Sequence, residues 1–238
     1  MIPGKSQFTG IVRSVALCAA LLVCLSLVPA GCGGFRGVMP SAVQEESFDF
    51  KKIAIVPVKR VLSEDPRQQF AQCPLTGAFY RNCGVPGETA ESDLEELFIN
   101  ELASKRQYVL IPPERVEGVH RRVRAASFKK TTRDELKTVG EELGADGVIA
   151  GYVFCYAERK GYTYAAEQPA SVVFVFHLLR VSDGEVVWTG IFDKTQESLM
   201  QNILDLRAFF KGGGKWITVK KLAAQGIKEV LKTFPERE

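Results

Sequence analysis

Apolar positions along this chain repeat with two different periods, and the alternation between them predicts its elements. Lys51 to Lys59 is a compact run rich in β-branched residues between lysines, which predicts a buried strand with Pro57 near its end. From Glu88 to Arg106, Leu94, Leu97, Phe98 and Leu102 recur at helical spacing, and acids gather at the amino end, where the helix dipole favours negative charge. Tyr108 to Ile111 predicts a short strand stopped by Pro112 and Pro113. Thr132 or Asp134 can cap a helix running to Leu143, with Gly144 ending it. Three strands follow, Gly147 to Ala157, Ala170 to Val181 and Glu185 to Asp193, the last two joined at hairpin length through Ser182, Asp183 and Gly184. Thr218 to Phe234 gathers Val219, Leu222, Ala223, Ile227, Val230 and Leu231 on one face, as a helix covering a sheet would. The order β-α-β-α-β-β-β-α predicts an α/β fold over residues 51–234: a single sandwich domain with a mixed sheet covered by helices, followed by a short tail, 235–238.

Ahead of that domain the pattern changes. Lys5 and Arg13 precede an apolar run from Val15 to Val28. At roughly 14 residues it is shorter than the ~18 to 20 a helix needs to cross a bilayer core, and charge followed by a short apolar run is the order an export translocon recognises. Ala30 and Gly31 come next, then Cys32, Gly33 and Gly34. Small residues at a cut, followed at once by a thiol, resemble the bacterial lipobox, in which that cysteine receives diacylglycerol and becomes the first mature residue. Pro29 departs from the pattern, where leucine is usual. The reading is a signal peptide over 1–31 with lipid (diacylglycerol and palmitate) on Cys32; cleavage without lipid near Ala30 is the alternative. Residues 32–50, rich in Gly, Ser, Pro and polar groups, read as a flexible tether from membrane to domain. Gly33 after the cysteine, rather than aspartate, points to the outer membrane, with the domain facing the periplasm.

Removing residues 1–31 takes two of the 31 basic residues and none of the 28 acids, leaving 29 against 28, a net charge of about +1. A balanced chain offers no broad field to phosphates, so nucleic acid is not an expected partner. Of the cysteines that remain, Cys32 is committed to lipid. Cys73 and Cys83 lie close together in a Pro/Gly-rich stretch and either form a disulfide in an oxidising compartment or stay as two thiols. Zinc would need two further ligands, and neither His120 nor His177 is near in sequence. Cys155, in an apolar strand, reads as a buried thiol. No cofactor or metal is expected.

The loop from Arg60 to Gly87 leaves the carboxyl end of the first strand and returns at the start of a helix, the usual contact edge of open α/β sheets. Arg67, Phe70, Phe79, Tyr80 and Arg81 give it the aromatic-plus-arginine character of binding hot spots, so it is either a partner-binding loop or a stapled insertion. The basic segment from Arg115 to Arg133 is either a solvated helix face or a contact for anionic groups. Recognisable catalytic apparatus is missing from the sequence. No Gly-x-Ser-x-Gly or His-Glu-x-x-His string occurs. His177 alternates with Val173, Val175 and Leu179 like a core histidine, and His120 has no carboxylate placed beside it in an ordered motif. Lys211 to Lys215 lacks the hydroxyl residue and preceding strand of a phosphate loop and reads as a hinge after a helical stretch, Gln196 to Phe210. Enzymatic activity is therefore not expected.

Four strings carry a resemblance: Lys52 to Val58; Tyr108 to Arg115; Glu142-Leu-Gly-Ala-Asp-Gly-Val-Ile-Ala-Gly-Tyr152; and Val181-Ser-Asp-Gly-Glu-Val-Val-Trp188. They resemble the α/β fold group of the Tol-Pal propeller protein's amino-terminal domain, the penicillin-binding-protein activator lipoproteins and the curli-secretion lipoprotein. The resemblance spans about 51 to 234 except the long loop, which departs from the pattern. It implies a non-enzymatic scaffold, binding or activator module of the cell envelope with a protein partner; the alternative is an oligomeric secretion component. No functional residue of that group carries over.

Overall fold

The computed structural model describes residues 50–63, 68–126, 130–162, 165–196 and 217–236, all within the unit Glu46–Glu238. The signal peptide, Cys32, the tether before Phe50, Arg67, the helix expected after Gln196 and the glycine run at 211–215 lie outside the described residues.

Strands β1 (Lys52–Ile55) and β6 (Gly147–Ala157) are almost wholly buried, which is why their sequences are continuous apolar runs rather than alternating ones. They pair in parallel, Ile53 opposite Gly147, and β1 pairs in parallel with the short β5 (Val109–Leu110) on its other side. After a separate small antiparallel pair, β7 (Lys160–Tyr162) and β8 (Ala165–Gln168), the chain returns as β9 (Ser171–Arg180), which pairs antiparallel with β6 and with β10 (Val186–Thr195). β2 (Lys59–Arg60) continues the line of β1 and pairs with β6 at Tyr152 and Val153. The result is a mixed six-stranded sheet in the order β10-β9-β6-β1-β5, with β2 also on β6. The expected hairpin turn forms, with Gly184 at φ 80° and its amide donating to Arg180 O at 2.8 Å.

Helices cover both faces. On one, α1 (Ala90–Ser104) buries Leu94, Phe98 and Leu102, at about 1.5–3 kcal/mol each for full burial. The Phe98 ring stacks on Phe176 of β9 at 4.0 Å. α4 (Val219–Val230) joins it, with Leu222, Ala223 and Ile227 in the same apolar cluster as Phe174, Trp188 and Phe192. On the other face lie α2 (Pro113–Ala126) and α3 (Thr132–Leu143), burying Val116, Val123, Leu136 and Val139 against Val148, Val173 and Val175. The cap of α3 falls one residue earlier than the sequence suggested. Thr131 and Asp134 form a reciprocal capping box, and Gly144 closes the helix at φ 60°. Gly140 is where α3 meets the sheet most closely: an added Cβ would lie 2.3 Å from Val181 Cγ2 and 2.8 Å from Val148 Cγ2.

Two departures from the expected element order matter for the site. The basic segment contributes a full helix, α2, because Val116, His120 and Val123 form a narrow buried stripe beneath the arginines. And β6 carries a bulge: Val153 pairs with Phe174 and Cys155 with Val173, leaving Phe154 as the extra residue. Strict alternation would put Cys155 on the α1 side with Val153; the bulge turns it to the opposite side, with Tyr152 and Phe154.

Candidate functional site

The segment after β2 folds back over the α2/α3 face of the sheet. Its core is a small antiparallel hairpin, β3 (Phe70–Gln72) and β4 (Phe79–Arg81), with Phe70 opposite Arg81, Ala71 opposite Tyr80 and Gln72 opposite Phe79. Directly opposed residues share a face. Ala71 and Tyr80 therefore point inward, Ala71 buried and Tyr80 packing its ring 4.8 Å from that of Phe154. Phe70, Gln72, Phe79 and Arg81 form the outer face, where Phe70 is 54% and Phe79 67% exposed. Gly77 at φ 73° makes the connecting turn, whose carbonyl accepts from Gln72 Nε2 at 3.1 Å.

Two ties fix the hairpin to the sheet. Arg81 donates through Nε (2.9 Å) and Nη2 (2.6 Å) to Asp193 Oδ1 on β10, and Nη2 also donates to Ser171 Oγ on β9 at 3.1 Å. Just beyond, Cys83 is bonded to Cys155 of β6, with their Cα atoms 5.1 Å apart. This corrects two expectations, a bridge between Cys73 and Cys83 and a free thiol at Cys155. The physical reason lies in the hairpin register. Cys73 sits at the turn end and Cys83 beyond the open end, so about five residues of strand, roughly 17 Å, separate them. Meanwhile the bulge turns Cys155 toward the hairpin. The sequence missed that pair because the cysteines stand 72 residues apart and period-2 alternation assigns Cys155 to the wrong face.

Cys73 is instead a buried free thiol whose Sγ lies 3.5 Å from His177 Nε2. The other ring nitrogen, Nδ1, lies 2.9 Å from Thr189 Oγ1. Burial pushes His177 down to about 4, so the ring is neutral near pH 7 and serves one neighbour as donor and the other as acceptor. His177 is thus the hydrogen-bonded core histidine expected of its place on β9.

His120 has a partner that the sequence did not show. Its Nε2 lies 2.9 Å from Glu135 Oε1 across the α2/α3 pair, and Lys59 Nζ is 3.8 Å from the same oxygen. Burial, reinforced by Lys59, holds His120 below the ordinary histidine range, and burial likewise lowers Lys59. The trio locks both helices to the end of the β1–β2 line and stands apart from the hairpin ties. Among the described residues no group of three or more His, Cys, Asp or Glu is placed to hold a metal ion. No described helix is long and apolar enough to cross a membrane.

Fold and site together define a three-layer α/β domain with a hairpin stapled to one face of a mixed sheet. No family model matches the chain, nor does any curated protein. Among solved structures it is similar to the PelC dodecamer from Paraburkholderia phytofirmans, at 14% identity and TM-score 0.42, over 80% of this chain and 92% of that one. It is also similar to the LpoB C-terminal domain from Escherichia coli (12%, TM-score 0.40, 63% and 87%). A third is the lipoprotein GNA1162 from Neisseria meningitidis (12%, TM-score 0.38, 69% and 99%).

Proposed function

We propose that the mature chain is a lipid-anchored protein of the outer membrane, facing the periplasm, and that it works as a non-enzymatic binding module for another envelope protein through the outer face of the β3–β4 hairpin. The observation that carries this reading is the state of Phe70 and Phe79. Two large aromatic side chains stand more than half exposed on a hairpin held by a disulfide and by an arginine that donates twice to one carboxylate oxygen. An aromatic surface whose backbone is already ordered loses little further entropy when a partner covers it, and aromatic and arginine residues dominate binding energy at such surfaces. Export and lipid on Cys32 rest on the sequence of residues 5–34, and they set the partner's compartment.

The test places a photo-crosslinking side chain at Gln72, between the two phenylalanines, in the full chain in its own envelope. One discrete crosslinked species is expected, and it is lost in the Phe70→Ser/Phe79→Ser double variant while circular dichroism stays unchanged. Crosslinking that survives the double substitution, or none at all from a correctly localised chain, sinks the reading.

A further inference from the structure

The Cys83–Cys155 disulfide differs at its two ends. Cys83 is exposed at the close of the hairpin, whereas Cys155 is completely buried. The buried sulfur meets two oxygens of Ser171, the main-chain O at 3.6 Å and the hydroxyl. Ser171, itself only 6% exposed, sets its Oγ 3.4 Å from Cys155 Sγ. That oxygen accepts from Arg81 Nη2 at 3.1 Å and lies 2.7 Å from Thr195 Oγ1. A serine hydroxyl accepts two hydrogen bonds and donates one. Either hydroxyl can donate across the Ser171–Thr195 contact, and with Thr195 as donor the Ser171 hydrogen is left for the sulfur. Asp193 holds the guanidinium in place on its other side.

We propose that Cys83–Cys155 is a thiol–disulfide exchange site, taking a dithiol reductant at Cys83 and releasing Cys155 as a thiolate stabilised by Ser171 and Arg81. A thiolate of the reductant attacks Cys83 Sγ; the protein S–S bond breaks, Cys155 leaves with the electron pair, and a mixed disulfide forms on Cys83. The reductant's second thiolate then attacks its own sulfur in that mixed disulfide and releases Cys83. The reductant ends as a disulfide, the protein has gained two electrons, and the two protons given up by the dithiol finish on Cys83 and Cys155. Attack is directed by access and leaving is favoured by stabilising the departing thiolate, and here the two preferences select the same direction. Cys73 takes no part, since its sulfur is turned to His177. Opening the bond removes the covalent tie between the end of the hairpin and β6, while the hydrogen bonds of Val61 and Gly87 to β6 remain; only the effect of this on partner binding rests on the function proposed above, and the chemistry does not.

The experiment uses the purified mature chain without any partner, so that its failure is separate from failure of the binding reading. Oxidised protein is exposed to reduced glutathione at neutral pH without denaturant, quenched with an alkylating agent and mapped by peptide mass. Glutathione on Cys83 with alkylated Cys155 is expected. Glutathione on Cys155, or an adduct that appears only once denaturant is added, overturns the proposal. With dithiothreitol, Ser171→Ala is expected to slow reduction about tenfold, the effect of one hydrogen bond to a charged group. An unchanged or faster rate in a folded variant overturns it as well, and if that variant does not fold, the adduct map on the unaltered chain decides.

Discussion

Arg81 and Asp193 meet across 112 residues of chain, and this pair ties the hairpin to the outermost strand of the sheet. Both side chains are partly exposed, 33% and 43%, so solvent screening keeps the pair's share of global stability to about 0–1 kcal/mol. Its effect is local. Asp193→Ala is expected to leave the melting temperature nearly unchanged while backbone amides of residues 70–81 exchange hydrogen faster. Unchanged protection of those amides would show that the pair does not position the hairpin.

The disulfide assignment gives a thiol count. A chain beginning at Gly33 retains Cys73, Cys83 and Cys155, and alkylation under denaturing, non-reducing conditions is expected to modify one of them, Cys73. Cys83→Ser is expected to cost about 2–4 kcal/mol in urea unfolding, mostly through the unfolded chain's regained freedom. Three alkylated cysteines, or a peptide linking Cys73 to Cys83, contradicts the assignment.

His177 sets a pH dependence. The buried ring titrates at about 4 in the folded protein and near 6.5 when unfolded. Between those values the unfolded chain binds more protons, so stability rises with pH. The contribution is complete above about pH 6.5 and is lost as pH falls toward about 4, amounting to about 3 kcal/mol. His120 is lowered in the same direction and adds to the slope. Urea midpoints measured from pH 7 to pH 4.5 are expected to fall, and to fall less steeply in His177→Gln. Parallel curves for the two proteins would remove His177 as a cause.

At Gly140 two effects oppose each other. Alanine gains about 1 kcal/mol of helix propensity over glycine, but its Cβ would clash with Val181 and Val148, and overpacking costs about 1–3 kcal/mol. Contacts of 2.3 and 2.8 Å put the cost in the upper part of that range, so Gly140→Ala is expected to destabilise by about 1–2 kcal/mol in denaturant titration. A stabilised variant would mean that α3 shifts freely on the sheet.

Most of the sheet was legible from pattern alone. β6 and β9 are long apolar runs, β10 alternates buried and exposed positions after the turn at Asp183-Gly184, and α1 and α4 show single apolar faces. α2 was not counted among the elements because its buried stripe is only Val116, His120 and Val123 among many arginines. Of the residues that composition singled out in the loop, Phe70, Phe79, Tyr80 and Arg81 come together in one hairpin, although Tyr80 faces inward. What sequence could not reveal were contacts between distant strands. Asp193, Ser171 and Cys155 meet the hairpin only because β6, β9 and β10 lie side by side, and nothing local in their sequences marks that neighbourhood.

The bulge at Phe154 makes the covalent chemistry of this protein depend on strand length. One more residue in β9, between Val173 and Phe174, would give Phe154 a partner and leave every cysteine in the sequence, yet the regular ladder would turn the sulfur at position 155 to the α1 side of the sheet. The hairpin would lose its cross-link through a change of parity alone, so among relatives the number of residues in this strand would be as informative about the disulfide as the presence of the cysteines.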